Sequence, residues 1–330
     1  MTENGFLTQA ISNEDDGSGL AQIDPELIVA NPNNPRRYFN EERLDLLRTS
    51  IQEVGILVPL IVYRANGERE EYVLMDGERR WRSSLDLGLG SVPANVIPVP
   101  EPLDNLLRMF NIHNVREDWP LISVALSLRD VMQIAQESGE KRLSEMTGLT
   151  RSTVRRAKRL LSISDSEIAL IQSEAHLDRS KQTHREDLYL EIEASESVLR
   201  TQLPQVASKF SRDEIIRAFA TKAEVGSLRA ITDFRFVAKL VKAIDDDIVD
   251  REVVEDAALN LIRDPYVSPK DIFDIVASAG YRQQTLQRKA EVLGEELVGA
   301  LGSTSPLSGA LRDQLVKLRD AIERALGETL

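Results

Sequence analysis

Cysteine is absent from the chain of 330 residues. Its absence excludes a disulfide framework, a thiolate zinc site and a cysteine nucleophile, and it favours a cytoplasmic setting. Histidine is scarce, since only His113, His176 and His184 occur, so a histidine-built metal centre is not expected. Aromatic residues make up only 5% of the chain, which is more typical of a helix-rich globular protein than of an all-β one.

Long apolar runs are also missing. No stretch approaches the ~20 apolar residues of a membrane-spanning helix. The first residues, "MTENGFLTQAISNEDDGSG", have neither the basic nor the apolar region of a signal peptide. We therefore expect a cytoplasmic protein with no membrane partner, and the length allows two or three domains.

Positive charge is in deficit, because the formal net charge is −13. This balance argues against nucleic-acid binding by the whole surface, but it leaves room for a local basic patch. Residues 1–22 are polar and acidic and contain no Lys or Arg, so we expect a disordered tail there.

Residues 23–100 have the pattern of a small α+β domain. Apolar residues at helical spacing follow Asn40, and Gly55 ends that helix. The strand-like runs "PLIVYR" and "EYVLM" are separated by Asn66-Gly67, which is a strong hairpin signal, and "SVPANVIPV" predicts a further strand.

The segment "DGERRWRSS" places arginines at the start of a predicted helix. Cations are mildly unfavourable at this end of a helix dipole. A bound phosphate would offset this, since Gly77 lets the backbone approach an anion, and Arg79 and Arg80 can form charge-assisted hydrogen bonds with phosphate oxygens. The alternative is a solvated arginine run in a strand-to-helix turn.

Helical patterns cover the chain from Leu103 onward. They divide it into a helical segment over 101–165, a helical domain over 166–290 and C-terminal helices over 291–330. Predicted helices include 211–222 and 227–245. The last helix carries an apolar stripe formed by Leu311, Leu315, Leu318, Ile322 and Leu326. This stripe predicts either dimerisation or packing on the helix's own domain.

A basic helix-turn-helix is predicted over Lys141 to Leu161. Gly148 occupies the turn, and Thr150 or Ser152 can cap the second helix. The window has seven basic residues and one acidic residue. The second helix of such a motif enters the major groove of double-stranded DNA. The predicted DNA-binding residues are Arg151, Ser152, Thr153, Arg155, Arg156, Lys158 and Arg159. The alternative is a solvated basic helix.

Four segments resemble the motifs of one family. They are "NPNNPRRYF", "SIQEVGILVPLIVYR", "DGERRWRSS" and "NVREDWP". Together with the helix-turn-helix, they resemble the ParB family of plasmid and chromosome partition proteins over residues 24–161. The resemblance implies an α+β ParB/sulfiredoxin-like N-terminal domain, an all-α helix-turn-helix domain and a helical C-terminal region. It also implies a homodimeric DNA clamp that binds CTP with Mg²⁺.

The resemblance also assigns a nucleotide site. The triphosphate would lie on Gly77, Glu78, Arg79 and Arg80, and the cytosine ring near Ile56, Leu57 and Pro59. Arg36 would lie near the phosphates or the closing interface. The other half of the site is expected near His113, Asn114, Arg116 and Glu117. His113 would bond a phosphate or a metal-bound water, or alternatively a neighbour on its helix face.

Two departures from the family pattern limit what the resemblance implies. Ile112 and His113 stand where the family usually has Glu and Asn, and isoleucine can neither hold Mg²⁺ nor position a water. We therefore expect nucleotide binding with at most weak CTPase activity. The tail without Lys or Arg makes coupling to a ParA-type ATPase doubtful.

The expected role is sequence-specific DNA binding in partition, in a protein associated with the nucleoid or a plasmid. One alternative is a helix-turn-helix transcription regulator with a degenerate nucleotide site. Another is a small-molecule kinase or nuclease of the ParB-like fold.

Overall fold

A computed structural model of the chain describes residues 18–32, 34, 41–65, 71–113, 120–301 and 307–327. Its N-terminal part is a five-stranded sheet with helices. The strands are β1 (Gly19–Ile23), β2 (Ile28–Val29), β3 (Leu60–Arg64), β4 (Tyr72–Asp76) and β5 (Val92–Ile97), and the helices are α1 (Glu41–Val54) and α2 (Glu78–Asp86). The predicted α+β character of this region is confirmed. The predicted turn at Asn66-Gly67 lies outside the described residues.

The sheet has the strand order β1-β5-β3-β4-β2. The central strand β3 runs parallel to β5 and antiparallel to β4, and β1 pairs antiparallel with β5. Leu60 and Val62 of β3 are fully buried, together with Val92 and Ala94 of β5. This small apolar core positions the start of α2 at the end of β4.

The position of β1 corrects the prediction of a disordered tail up to residue 22. Gly19–Gln22 lie in β1, with Leu20 opposite Asn95 and Ala21 opposite Ala94. Pairing with β5 supplies backbone hydrogen bonds that the polar composition of this segment does not reveal. Residues 1–17 lie outside the described residues.

The rest of the described chain is helical. Its helices are α3 (Pro102–His113), α4 (Leu121–Ala135), α5 (Glu140–Thr147), α6 (Arg151–Leu160), α7 (Asp165–Glu174), α8 (Glu186–Gln202), α9 (Pro204–Ala207), α10 (Arg212–Glu224), α11 (Arg235–Asp245), α12 (Arg251–Arg263), α13 (Pro269–Val276), α14 (Ser278–Leu301) and α15 (Gly309–Leu326). None of the helices in the described ranges is long and apolar enough to cross a membrane.

The predicted division of this helical part differs from the structure. One apolar core extends without a break from Leu106 on α3 to Ala277 after α13, so it crosses the expected boundary at 165/166, which falls in α7. The expected boundary at 290/291 falls inside α14. A continuous core joins these segments because neighbouring helices bury their apolar faces against one another.

The helix predicted over 227–245 is shorter than expected. A single 3-10 turn covers Ile231–Phe234, and the α-helix begins at Arg235. The Asp233 carboxylate accepts hydrogen bonds from the backbone N–H groups of Arg229 and Ala230, at 2.9 and 3.2 Å. This side-chain cap competes with a continuous helix through the segment.

Helix α3 joins the two cores through faces of different polarity. Its Leu106 and Phe110 belong to the helical core. Towards the sheet, the Asn105 side chain accepts a hydrogen bond from Asn31 Nδ2 at 3.1 Å and donates one to the Tyr63 hydroxyl at 3.2 Å. Burial raises the pKa of Tyr63. The contact of α3 with the sheet therefore includes a buried polar network.

Candidate functional site

Gly77 connects β4 to α2 and is the N-cap residue of that helix. Its φ of 101° lies in the left-handed region, and a Cβ at this position would lie 2.5 Å from Leu60 Cδ2. Both the backbone conformation and the packing against β3 therefore require glycine. Gly77 also has no side chain that could cap the first turn of α2.

Arg80 points back to the loop between α1 and β3. Its Nη1 donates hydrogen bonds to the carbonyl oxygens of Val58 and, at 2.9 Å, of Pro59. Its Nη2 bonds the Asp76 carboxylate at 3.1 Å. The residue predicted to bind phosphate thus also fixes the loop predicted to contact the base.

Glu78 is buried and links two of the sequence motifs. Its carboxylate forms a salt bridge of 2.6 Å with Arg82 and accepts a hydrogen bond from Asn34 Nδ2. This contact joins the "NPNNPRRYF" segment to the start of α2. The Glu78 carboxylate is therefore already paired, and its contacts orient the "DGERRWRSS" segment.

The predicted base-contacting loop lies beside this arrangement. Leu57 is 78% exposed and Val58 is 62% exposed, which is unusual for large apolar side chains. Ile56 and Pro59 are partly exposed. The loop therefore offers apolar surface close to Gly77 and Arg80, although the sequence prediction omitted Val58.

Other predicted nucleotide-site residues fall outside the description. Arg36, Asn114, Arg116 and Glu117 are not among the described residues, and the side chain of His113, which ends α3, is likewise not described. Arg79 is partly buried at the second position of α2. Among the described residues, no cluster of three or more His, Asp or Glu side chains could hold a metal ion.

The predicted helix-turn-helix is formed by α5 and α6. Gly148 ends α5 in the left-handed region with a φ of 73°. The Thr150 hydroxyl caps α6 by accepting a hydrogen bond from the Thr153 backbone N–H at 3.1 Å. Val154, Ala157 and Leu160 are fully buried.

Contacts divide the predicted DNA-binding residues into two groups. Arg155 forms a salt bridge of 2.9 Å with Glu140 and lowers the pKa of that carboxyl. Lys158 Nζ donates to the Ser138 carbonyl oxygen at 2.7 Å. Arg159 pairs with Glu193 at 2.6 Å, which fastens α6 to α8.

The second group lies at the exposed side of α6. Arg151, Ser152 and Arg156 are exposed, and Thr153 is partly exposed. Within the described part of the chain, no hydrogen bond or salt bridge holds the side chains of Arg151 and Arg156. These two guanidinium groups are therefore available to phosphate or base edges.

Sequence reasoning missed a residue next to this surface. Glu186, at the start of α8, accepts a hydrogen bond from the backbone N–H of Ile122 at 2.6 Å and so caps α4. Burial raises the pKa of this carboxyl, whereas the nearby charge of Arg156 opposes that rise. The only signal at this position is the acidic first turn of a helix, which does not reveal a contact with a residue 64 positions away.

Comparison with known proteins finds similarity in the N-terminal part of the chain. Residues 9–114 match the model of the ParB N-terminal domain. The match confirms the resemblance drawn from the motifs, and the ParB N-terminal domain includes Gly77, Glu78, Arg79 and Arg80.

Curated chromosome-partitioning proteins are also similar to this chain. The chromosome-partitioning protein ParB of Caulobacter vibrioides is 38% identical over 152 residues, which cover 45% of this chain and 48% of the relative. The chromosome-partitioning protein Spo0J of Thermus thermophilus is 35% identical over 148 residues, covering 44% and 52%. The chain thus spans about half the length of these relatives.

Solved structures with this domain include C-terminally truncated ParB from Caulobacter crescentus in two complexes. The ParB chain in the complex with the centromeric parS site is 26% identical to this chain. The match covers 62% of this chain and 99% of the ParB chain, with a TM-score of 0.38. The complex with CTP-gamma-S is also 26% identical and covers 61% and 98%, with a TM-score of 0.28.

Proposed function

We propose that the chain is a ParB-type DNA-binding protein that acts in chromosome or plasmid partition. The observation that carries this proposal is the exposed face of α6, where Arg151 and Arg156 have no salt bridge or hydrogen bond within the described residues. The ParB N-terminal domain and the names of the curated relatives support it. A protein with this role is associated with the nucleoid or a plasmid.

We further propose that the N-terminal domain binds CTP together with Mg²⁺. The start of α2 suits a triphosphate because its N-cap is Gly77 and because Arg79 and Arg80 follow in the first turn. Magnesium bound in this way typically takes its ligands from phosphates and one or two carboxylates.

The homodimeric clamp, weak or absent CTP hydrolysis and the doubtful coupling to a ParA-type ATPase remain parts of the proposal. A helix-turn-helix regulator with a degenerate nucleotide site is the second candidate. It is favoured by Arg80, whose hydrogen bonds to the Val58 and Pro59 carbonyl oxygens give it a structural role without nucleotide.

The DNA-binding proposal predicts a specific salt dependence. We expect Arg151→Ala and Arg156→Ala each to weaken binding to the cognate DNA site and to reduce the slope of log affinity against log salt by about 1. Arg319→Ala on α15 is the matched control, because it removes an exposed arginine far along the chain. An unchanged slope for both α6 variants contradicts the proposal.

The same assay separates the two candidates when it is repeated with CTP and magnesium. The partition proposal predicts that nucleotide changes the DNA footprint of the natural chain and that Arg79→Gln abolishes the change while leaving the nucleotide-free footprint intact. A footprint that CTP does not alter favours the regulator.

A further inference from the structure

Arg159 lies near the end of α6 and turns toward α8. Its Nε and Nη2 atoms both lie 2.6 Å from one oxygen of the Glu193 carboxylate, and Nη2 also donates a hydrogen bond to the Leu190 carbonyl oxygen at 2.8 Å. Arg156, which precedes Arg159 by about one turn of the helix, is instead exposed. The sequence groups both arginines as DNA-binding residues, whereas their contacts separate them.

The turn that follows α6 is held by the first residue of α10. Arg212 Nη1 donates a hydrogen bond to the Ser162 carbonyl oxygen, and Nη2 donates one to Ser162 Oγ at 3.0 Å. Ser162 Oγ in turn donates to the Arg159 carbonyl oxygen at 2.6 Å. A capping box formed by Ser211 and Glu214 fixes the start of α10. A side chain 50 residues further along the chain thus binds backbone at the end of α6, where a helix leaves carbonyl groups without partners.

Two carboxylates on α8 connect these arginines. The Glu193 carboxylate lies 3.8 Å from Arg212 Nη2, in addition to its salt bridge with Arg159. Glu196 is only 2% exposed and accepts hydrogen bonds from Arg200 Nε at 2.5 Å and from Arg212 Nε at 3.2 Å. Because a buried carboxylate is costly to leave without its partners, these bonds hold the group in one geometry. We call Arg159, Glu193, Glu196 and Arg212 the α6 anchor.

We propose that Arg159 and Arg212 are positioning residues, which set the orientation of α6 for reading DNA and act through Glu193 and Glu196. An arginine fork that binds a carboxylate and a carbonyl oxygen together fixes direction as well as distance. Base edges are read by directional hydrogen bonds, so a small rotation of α6 costs sequence discrimination, whereas attraction to the phosphates does not depend on sequence. This inference rests on the proposed function and gives Arg159 an indirect role in it.

The alternative for Arg159 is direct contact with a phosphate, and the two roles differ in what Glu193 does. If Arg159 bound phosphate, Glu193→Gln would release its guanidinium and remove one negative charge, so DNA binding would strengthen. If Arg159 positions α6, the same substitution loosens the helix and weakens sequence discrimination. Glu193→Gln therefore separates the two roles by the sign of its effect.

The experiment compares two DNA duplexes of equal length and composition, each bound by the full-length chain. One contains a site that the natural chain selects from random-sequence DNA, and the other contains the same bases in scrambled order. We expect Glu193→Gln to lower the ratio of the two affinities by about fivefold or more, as the loss of one base contact does. Affinity for the scrambled duplex should not fall, because no phosphate contact is removed.

Glu191→Gln is the matched control, because it makes the same charge change on the same helix, α8. The Glu191 carboxylate pairs at 2.5 Å with Arg235, which lies on α11. This variant should leave the ratio of affinities unchanged. If Glu191→Gln and Glu193→Gln give the same ratio, the α6 anchor does not position the helix and the proposal is wrong.

Arg212→Lys tests the α6 anchor from α10 without a change of net charge. A lysine lacks the planar fork that reaches Ser162 and Glu196 together, so this variant should also lower the ratio of affinities. Arg217→Lys is its control on the same helix, since Arg217 pairs with Glu224 at 2.8 Å and should not affect the ratio. A ratio for Arg212→Lys equal to that of the natural chain contradicts the proposal.

Unfolding in urea separates positioning from a contribution to folding alone. Glu193 and Arg212 are partly exposed, so both variants should remain folded under the conditions of the binding assay. A loss of stability together with an unchanged ratio of affinities would show that the α6 anchor only stabilises the fold. That result also overturns the proposal.

Failure of the positioning role and failure of the proposed function give different results. If the natural chain prefers the selected duplex and Glu193→Gln and Arg212→Lys keep that preference, DNA binding stands and only the positioning role is wrong. If the natural chain shows no preference between the duplexes, the proposed function fails and the positioning role fails with it.

Discussion

At the scale of residues, the motifs identify the important side chains better than they identify the contacts. The "DGERR" sequence indicates that Gly77, Glu78 and Arg80 matter, and all three have defined positions at the start of α2. It does not show that Arg80 donates a hydrogen bond to the Val58 carbonyl oxygen, or that the Glu78 carboxylate accepts one from the Asn34 side chain. These contacts depend on segments far apart in the chain, which local spacing cannot specify.

Lys222 is a buried cation that the sequence does not distinguish from a surface lysine. Its Nζ donates to the carbonyl oxygens of Asp264 at 2.6 Å and Val267 at 2.8 Å. Burial lowers the pKa of this ammonium from 10.5 to about 8. Between these two pH values the unfolded chain binds more protons than the folded chain, so the folded state gains stability as the pH rises.

We therefore predict that the stability difference between the natural chain and Lys222→Met depends on pH. The natural chain should become more stable relative to the variant by about 1 to 3 kcal/mol between pH 7 and pH 10, as measured by urea unfolding. Lys209→Met, which changes an exposed lysine, should give a constant difference. A constant difference for Lys222→Met contradicts the role assigned to its burial.

At the scale of elements, Gly77 sets the geometry of the turn between β4 and α2. We predict that Gly77→Ala lowers the free energy of unfolding by about 2 to 4 kcal/mol, because it adds both left-handed strain and a clash with Leu60. Gly90→Ala is the control, since a Cβ there meets no atom within 4 Å. Thermal and urea unfolding of both variants test this, and equal losses would show that the turn tolerates a side chain.

Strong periodicity predicted several elements well. Helices α1 and α6 begin and end within a residue or so of the predicted positions, because their apolar spacing and their end signals agree. The sequence missed β1, which has only five residues and is ordered by pairing with β5. It also gave no separate prediction for α7 or α12, whose apolar faces are defined by the shared helical core.

At the scale of the whole molecule, α3 connects a sheet domain to a helical one. We predict that Asn105→Ala lowers the free energy of unfolding by about 1 to 3 kcal/mol, because it removes hydrogen bonds to Asn31 and Tyr63 inside the protein. Hydrogen exchange should increase in β3 and α3, whereas α6 should be unaffected. Asn95→Ala, at an exposed position of β5, is the control and should change neither measurement.

The two-sided character of α3 determines where the chain can be divided for separate study. A fragment that starts at Pro102 retains Leu106, Met109 and Phe110, which are almost completely buried. A fragment that starts at Leu121 lacks these side chains, so the apolar surfaces of α4 and α5 that α3 covers become exposed. The cut before α3 should therefore yield the more stable helical fragment, although the sheet fragment loses the hydrogen bonds that Asn31 and Tyr63 form with Asn105.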